Sequence, residues 1–546
     1  MSEQSKRSFS TRISDLMSQL NRTAEMLRGS RIGVENFKPN EHGSLVEYEP
    51  SEGLEEVERY WTNAPYAFVA IEYDNEENTH FYRVIEPVLD HHERELLDTL
   101  LSDIRDSLIY REGNGAAEPS DVLQEQIRDL LEEYGVEIDL RSFYKLYYYL
   151  YRSFQGFGRI DPIMHDSHVE DVSCDGYDIP VFVYHDKYRD IETNIVYGED
   201  ELDNFVGRLA QQSGRHISIG DPMIEATLPD GSRAELAYGR EVTPRGSAFT
   251  IRQYAEEPFT PVDLIKLNTF DADQMAYLWL AIENNMSLIF AGGTASGKTT
   301  ALNAVSMFIP PRSKVLSIED TRELALYHDN WLSSVTRERM SEGRNITMYD
   351  LLRSALRHRP EYIIVGEIRG DEAITLFQAM NTGHTTLSTM HADSVQTVIN
   401  RLENEPLDVP RAMIQSLDML AVQRLTYVEG ERVRRNNAIA EIRGIDQRTG
   451  DLDYATAYQW ESGTDSFRYN DSSIVDDIQE RRGWSRTDLL RELRNRKRIL
   501  TYLLERDVTD YRQFTAVINE YYADKDRVLD RVSRHLDREV TTTMEA

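Results

Sequence analysis

The sequence predicts an α/β protein: a parallel-sheet domain in the second half, an α+β domain ahead of it, and an extra helical region at the N-terminus. Three observations lead there. Between Ser287 and Asp393, short apolar runs end in glycine or acidic residues and alternate with helical patterns, as a parallel sheet requires. The first of these runs passes through a glycine-rich turn into a helix-like segment. Between Val169 and Tyr254, by contrast, strand patterns gather around one helical stretch.

From the N-terminus, Phe9, Ile13, Leu16 and Leu20 recur at helical spacing beside Lys6, Arg7, Arg12, Arg22, Arg28 and Arg31. A basic amphipathic helix of this kind packs in a bundle, or meets anionic lipid or an acidic partner face. Ala64 to Val88 alternates about a polar turn at Asp74–Asn78, which predicts a hairpin, and residues 1–90 read as a docking region. Helical patterns follow at 89–110, 121–134 and 140–154, the first two separated by a loop beginning at Glu112. The third carries Phe143, Tyr144, Tyr147, Tyr148, Tyr149, Tyr151 and Phe154, an aromatic run suited to core packing.

Gly156 to Pro162 breaks that helix. Strand patterns at 169–174, 180–185 and 193–197, a helix near 199–213 and further strands around 222–254 place an α+β domain at 91–254. Its Arg233, Arg240, Arg245 and Arg252 lie close in sequence, and such guanidinium groups serve either as a phosphate clamp or finger or as ordinary surface ion-pair partners. Pro258 and Pro261 mark a linker at 255–262, followed by the sheet domain at 263–480 and a helical tail at 481–546.

The chemistry concentrates at the glycine-rich turn. Gly292, Gly297, Lys298 and Thr299 satisfy the phosphate-cradling pattern G-x-x-x-x-G-K-[ST]. Backbone N–H groups of Gly292, Gly293, Thr294, Ala295, Ser296 and Gly297 wrap a phosphate in such a loop, and the helix opening at Lys298, Thr299 and Thr300 adds its positive dipole end. Lys298 then carries charge toward β/γ oxygens, and the Thr299 hydroxyl suits Mg²⁺. Two later apolar runs end in Glu319-Asp320 and in Gly366-Glu367. A RecA-like core brings strand ends of this kind to the nucleotide, where carboxylates hold Mg²⁺ or orient the attacking water. His384 and His391 lack metal-ligand spacing as a pair, and their Thr/Ser surroundings suit sensing of a γ-phosphate.

Composition bounds the setting. Asp and Glu number 95 against 61 Lys and Arg, for a net charge of −34, and only nine of the basic residues are lysine. An acidic, lysine-poor surface fits a cytosol of molar salt, as in a halophilic archaeon, where self-repulsion is screened. It disfavours non-specific nucleic-acid binding. Cys174 is the single cysteine, so an intrachain disulfide and a cysteine-rich zinc site are both excluded. Without an apolar run approaching 18 residues, the chain reads as soluble and cytoplasmic.

The phosphate loop, the acidic box Ile318–Glu323, the strand Val365-Gly-Glu-Ile-Arg-Gly370 and the His384…His391 box resemble the type II/IV secretion ATPase superfamily. Gly158–Met164, Glu170–Gly176 and Ser354–Tyr362 resemble its archaeal branch, and Arg496–Arg506 with Tyr511-Arg-Gln-Phe looks most like the archaellum motor ATPase, archaeal pilus ATPases carrying a related tail. The resemblance implies ATP and Mg²⁺ as cofactors, an N-terminal domain hinged to a RecA-like one, and a homo-hexameric ring at the inner face of the cell membrane. It implies action on a polytopic membrane platform protein, with accessory archaellum or pilus proteins and no specific nucleic acid. It also implies roles: Lys298 and Thr299 for phosphate and metal, Glu367 as the second-motif acid that shares the metal, Glu319 and Asp320 for water, His384 and His391 as sensors. Arg233, Arg240 and Arg252 lie in the stretch that supplies phosphate-contacting arginines, and Arg353, Arg357 and Arg359 suit contacts across the ring. The bacterial tetracysteine insert is missing, which fits the archaeal branch. An archaeal pilus ATPase, a DNA-transfer ATPase, a non-hydrolysing docking platform and a phosphate-loop kinase are the competing readings.

Overall fold

The computed structural model describes residues 37–38, 43–108, 119–254, 258–337 and 345–545. The basic stretch 1–31 and the loop beginning at Glu112 lie outside the described residues. The chain divides into two compact units, Met1–Tyr254 and Ala255–Ala546.

The first unit is built on a nine-stranded sheet. In chain order its strands are β1 (Glu55–Asn63), β2 (Ala67–Asp74), β3 (Thr79–Ile85), β4 (Val169–Cys174), β5 (Pro180–His185), β6 (Arg189–Val196), β7 (Met223–Thr227), β8 (Arg233–Ala237) and β9 (Ala248–Arg252). Across the sheet they run β1-β2-β3-β6-β5-β4-β9-β8-β7. The expected hairpin is β2–β3, and its outer strand β3 pairs in parallel with β6, setting Phe81 opposite Glu192. Glu55–Ile85 therefore share a sheet with strands of 91–254 where the sequence suggests two regions; the join is a pairing between strands over a hundred residues apart, which no local pattern displays. Alternation along β2 explains the two cores. Phe68 and Ala70 pack with the helices His91–Leu108, Pro119–Tyr134 and Leu140–Phe154, while Val69 and Ile71 pack on the other face with the helix Glu199–Gln212. The aromatic helix Leu140–Phe154 buries Phe143, Tyr144, Tyr147 and Tyr148, and the Tyr148 hydroxyl donates to Glu86 at 2.6 Å.

The second unit also holds nine strands: β10 (Leu288–Gly292), β11 (Val315–Glu319), β12 (Trp331–Val335), β13 (Tyr362–Val365), β14 (Thr385–His391), β15 (Met419–Val428), β16 (Glu431–Ile445), β17 (Leu452–Glu461) and β18 (Ser466–Tyr469). The order is β12-β11-β13-β14-β10-β15-β16-β17-β18. The first six are mutually parallel, and an antiparallel meander extends from β15. β14 lies between β10 and β13, the RecA-like arrangement in which one strand separates the phosphate-loop strand from the strand leading to Glu367. Strands β10, β11 and β13 are buried throughout, as parallel strands covered on both faces must be. One face packs on Leu352, Leu376, Phe377 and Val398; the other on Tyr277, Trp279, Leu302 and Phe308.

Two boundaries differ from the sequence reading. Thr260 already caps a helix Pro261–Lys266, which trims the linker placed at 255–262. The tail at 481–546 is part of the second unit's core: Trp279 stacks on Phe308 and meets Tyr521 edge-on at 4.9 Å, and Arg496 is buried between Glu283 and Glu492. The sequence sets it apart as a helical tail because its partners are sheet-domain residues far away in the chain.

Candidate active site

β10 delivers Gly292 to the sheet's carboxyl end, and the helix Lys298–Ser306 starts six residues later. The turn between needs backbone that few residues tolerate. Gly297 sits at φ 84° as the helix N-cap, and a Cβ on Gly292 would lie 2.4 Å from Ser296 Oγ and 2.6 Å from the Gln423 carbonyl. Ala295 adopts φ 57° without being glycine. Three donors steady the loop: Ser296 Oγ and Lys298 Nζ both donate to the Gly293 carbonyl, at 2.8 and 2.7 Å, and Arg434 Nε donates to the Ala295 carbonyl at 3.0 Å. Lys298 is largely buried, and that burial lowers its pKa.

The carboxylates line the same end of the sheet. Glu319 closes β11, 2% exposed; its Oε1 accepts from the backbone N–H groups of Glu323 and Leu324, each at 2.9 Å. Its Oε2 is buried with no hydrogen-bond partner among the described residues, and burial pushes the carboxyl up to about 7. Gly366 leaves room for it, since a Cβ there would stand 3.2 Å from Glu319 Cγ. Asp320 is more exposed and meets Thr336 Oγ1 at 3.1 Å and Arg369 at 3.5 Å. Glu367 accepts from Arg369 at 2.5 Å and stands 3.6 Å from His391 Nε2. Register aligns Gly292 with His391 across β10 and β14, so His391 belongs beside the loop. Burial, then the charge of Lys298, lowers its pKa. A cavity of about 280 Å³ opens next to Glu367, lined also by Asp320, Thr336, Arg369 and Glu372.

His384 does not join them. It precedes Thr385 at the opposite end of β14, some seven residues or about 20 Å of strand from His391, and its Nδ1 lies 3.2 Å from Thr382 Oγ1. The box from His384 to His391 runs along one strand, which separates its ends. In the first unit, Arg233 pairs with Glu225 at 2.5 Å, Arg240 with Glu199 at 3.0 Å, and Arg252 with Asp171 at 2.9 Å. Arg233 and Arg252 are direct partners in the β8–β9 register, whereas Arg240 lies over the Tyr177 ring. Arg353, Arg357 and Arg359 are exposed, and Arg353 lies over Tyr349.

Two contributors escaped the sequence. Arg369, inside the quoted strand motif, was recoverable from its position two residues beyond Glu367. Arg434 was not, because it reaches the loop from β16, 139 residues downstream of Ala295.

A glycine loop at a strand end, a buried lysine opening the next helix and strand-end carboxylates gathered around it define a phosphate-loop ATPase. The particular family follows from sequence comparison. The profile described as "Type II/IV secretion system protein" matches residues 199–463, with "PilB3-like, N-terminal" at 14–88 and "PilB3-like, C-terminal" at 463–545. An uncharacterised protein of Methanocaldococcus jannaschii is 39% identical over 384 residues, spanning 69% of this chain and 70% of that one. The conjugal transfer protein TrbB of Rhizobium radiobacter is 33% identical over 238 residues, 42% of this chain and 71% of that one. Among solved structures, the pilus retraction motor PilT with bound ADP is similar at 21% identity and a TM-score of 0.37, covering 61% of this chain and 89% of that one. The chain belongs to the type II/IV secretion system ATPase family.

The residues present fit Mg²⁺. The Thr299 hydroxyl and the carboxylates of Glu367, Asp320 and Glu319 are hard oxygen donors, and Glu319 Oε2 is a buried acceptor not yet used. Among the described residues no three acidic, His or Cys side chains form a ready cage.

Proposed function

We propose that this chain is the Mg²⁺-dependent ATPase of a type IV pilus-type assembly machine, working as a homo-hexameric ring on a polytopic membrane platform protein. The observation that carries the chemistry is the grouping of Lys298, Glu367, His391 and buried Glu319 at one sheet end. What supports a pilus machine is that both chain ends match PilB3-like profiles. The archaellum motor is the second reading, resting on the stretch Arg496–Arg506. DNA transfer rests on the likeness to TrbB alone and is disfavoured by the charge of −34. Among the described residues no helix is long and apolar enough to cross a membrane. This reading puts the ring at the membrane's inner face through the platform and accessory proteins.

In this reading the loop backbone and Lys298 bind the triphosphate. Thr299 and Glu367 would hold Mg²⁺, which supplies neutralisation of charge at the β- and γ-phosphate oxygens. Glu319 Oε2 accepts a hydrogen bond from the attacking water and, once deprotonated, takes its proton; Asp320 helps to orient that water. Burial and the charge of Lys298 disfavour the charged form of His391, which meets Glu367 and faces the γ-phosphate side. Arg233 and Arg252, adjacent on their sheet, are the favoured phosphate-contacting arginines of the assembled ring, ahead of Arg240. Glu367→Gln is expected to keep ATP binding while turnover falls at least about a hundredfold, close to 3 kcal/mol in barrier; unchanged turnover removes Glu367 from this role.

The machine is tested in the host lacking the gene, complemented with wild type or Lys298→Ala. Lost surface adhesion with normal swimming, restored by wild type alone, is the expected result. Lost swimming with retained adhesion selects the archaellum motor instead.

A further inference from the structure

The second unit holds another cavity, of about 460 Å³, lined by Tyr502, Arg506, Arg527, Arg531, Arg534 and His535. No residue of the phosphate-loop site contributes to it. Arg506 caps the helix Arg486–Glu505, and the other three arginines project from successive turns of the helix Lys525–Glu545. Four guanidinium groups around one space, on a chain of net charge −34, are held together against their own repulsion.

Among the described residues the anion supply is short. Glu520, from the neighbouring helix Tyr511–Ala523, meets Arg531 at 2.7 Å and Arg527 at 3.3 Å. Arg534 Nε donates to the backbone carbonyl of Asp530, and Arg506 lies over the Tyr502 ring. Arg531 keeps two nitrogens, Nε and Nη2, buried without a hydrogen-bond partner among the described residues. Elsewhere in this unit Arg496 also keeps a buried Nε without a partner among the described residues, but both its terminal nitrogens meet carboxylates, Glu283 and Glu492, and Lys525 meets the second of these. The Arg531 side chain as a whole is 40% exposed and lines the cavity with Arg506, Arg527 and Arg534, so an oxyanion placed there meets several charged donors.

We propose that this cavity binds a small anion carrying two or three linked phosphates. Several planar forks around one opening match phosphate geometry, and the volume suits a triphosphate-sized group. Tyr502 is already occupied by Arg506 on its face and by His535 at its edge, so recognition is of phosphate and not of a base.

Equilibrium dialysis of the full chain against radiolabelled tripolyphosphate, at fixed KCl, counts the sites. Wild type is expected to bind two equivalents, Lys298→Ala one, and Arg506→Gln/Arg534→Gln one, with affinity at the lost site reduced at least about tenfold. Combining all three substitutions abolishes binding. The glutamine pair leaves both Glu520 contacts in place, and Arg498→Gln, which removes a guanidinium outside the cavity, keeps two equivalents. Two equivalents in the Arg506/Arg534 variant, or equal loss in Arg498→Gln, overturns the proposal. Without any variant, tripolyphosphate is expected to shield Arg531 and Arg534 from phenylglyoxal in peptide mass maps; unshielded arginines overturn it equally. In the Lys298→Ala background, displacement by ATP identifies a nucleotide arm, displacement by phosphatidylglycerol vesicles a lipid headgroup, and displacement by neither a free polyphosphate.

Discussion

Burial holds the Glu319 carboxyl near 7, so around neutrality this side chain stands between its two charge states. The folded value lies above the ordinary 4.5, so folding favours the protonated form. That stabilising contribution is complete below about 4.5 and is lost as pH rises through about 7. Glu319→Gln, which removes the titration and keeps an acceptor for Glu323 and Leu324, is therefore expected to unfold like wild type at pH 5. At pH 8.5 it should be more stable by about 2–3 kcal/mol in urea unfolding without nucleotide. An equal gain at both pH values would contradict the burial argument. Wild-type kcat is expected to rise with pH through the same region, since the water's proton needs a deprotonated Oε2. Arg434 makes a different claim: it fixes a left-handed alanine in the loop and touches no proton. Arg434→Ala should raise the KM for ATP about tenfold with little change in stability, the effect of one charged hydrogen bond.

At the scale of elements, the tail helices are structural parts of the ATPase unit. Arg496, 1% exposed, joins Glu283 of the helix Ala272–Glu283 to Glu492 of its own helix and lies 5.5 Å over both Trp279 and Tyr521. Arg496→Ala leaves those carboxylates facing a void and is expected to cost about 3–5 kcal/mol, whereas exposed Arg498→Ala should cost almost nothing. Thermal melting of the two variants decides. Legibility in the sequence follows the same distinction between local and distant. The phosphate loop was readable because strand, turn and helix are contiguous, and Glu319 and Glu367 because each closes an apolar run. His384 misled because seven residues reads as nearness, while an extended strand converts it into separation. Arg434, the β3–β6 pairing and the docking of the tail depend on partners over a hundred residues away, where periodicity carries no signal.

For the whole molecule, the net charge of −34 dominates the response to solvent. Self-repulsion opposes compactness at low ionic strength and is screened once the Debye length shrinks to about 3 Å near 1 M salt. The melting temperature is expected to climb steadily from 0.1 to 2 M KCl, and a flat profile would detach the charge from any salt adaptation. The position of β10 in its sheet has a consequence for synthesis. Its two neighbours, β14 and β15, follow it by about a hundred and about a hundred and thirty residues. A ribosome adding about 5–20 residues per second finishes the phosphate-loop strand some 5–25 seconds before both flanks exist. Throughout that interval the nascent chain has a loop sequence and no cradle. Nucleotide binding thus cannot precede the synthesis of β15.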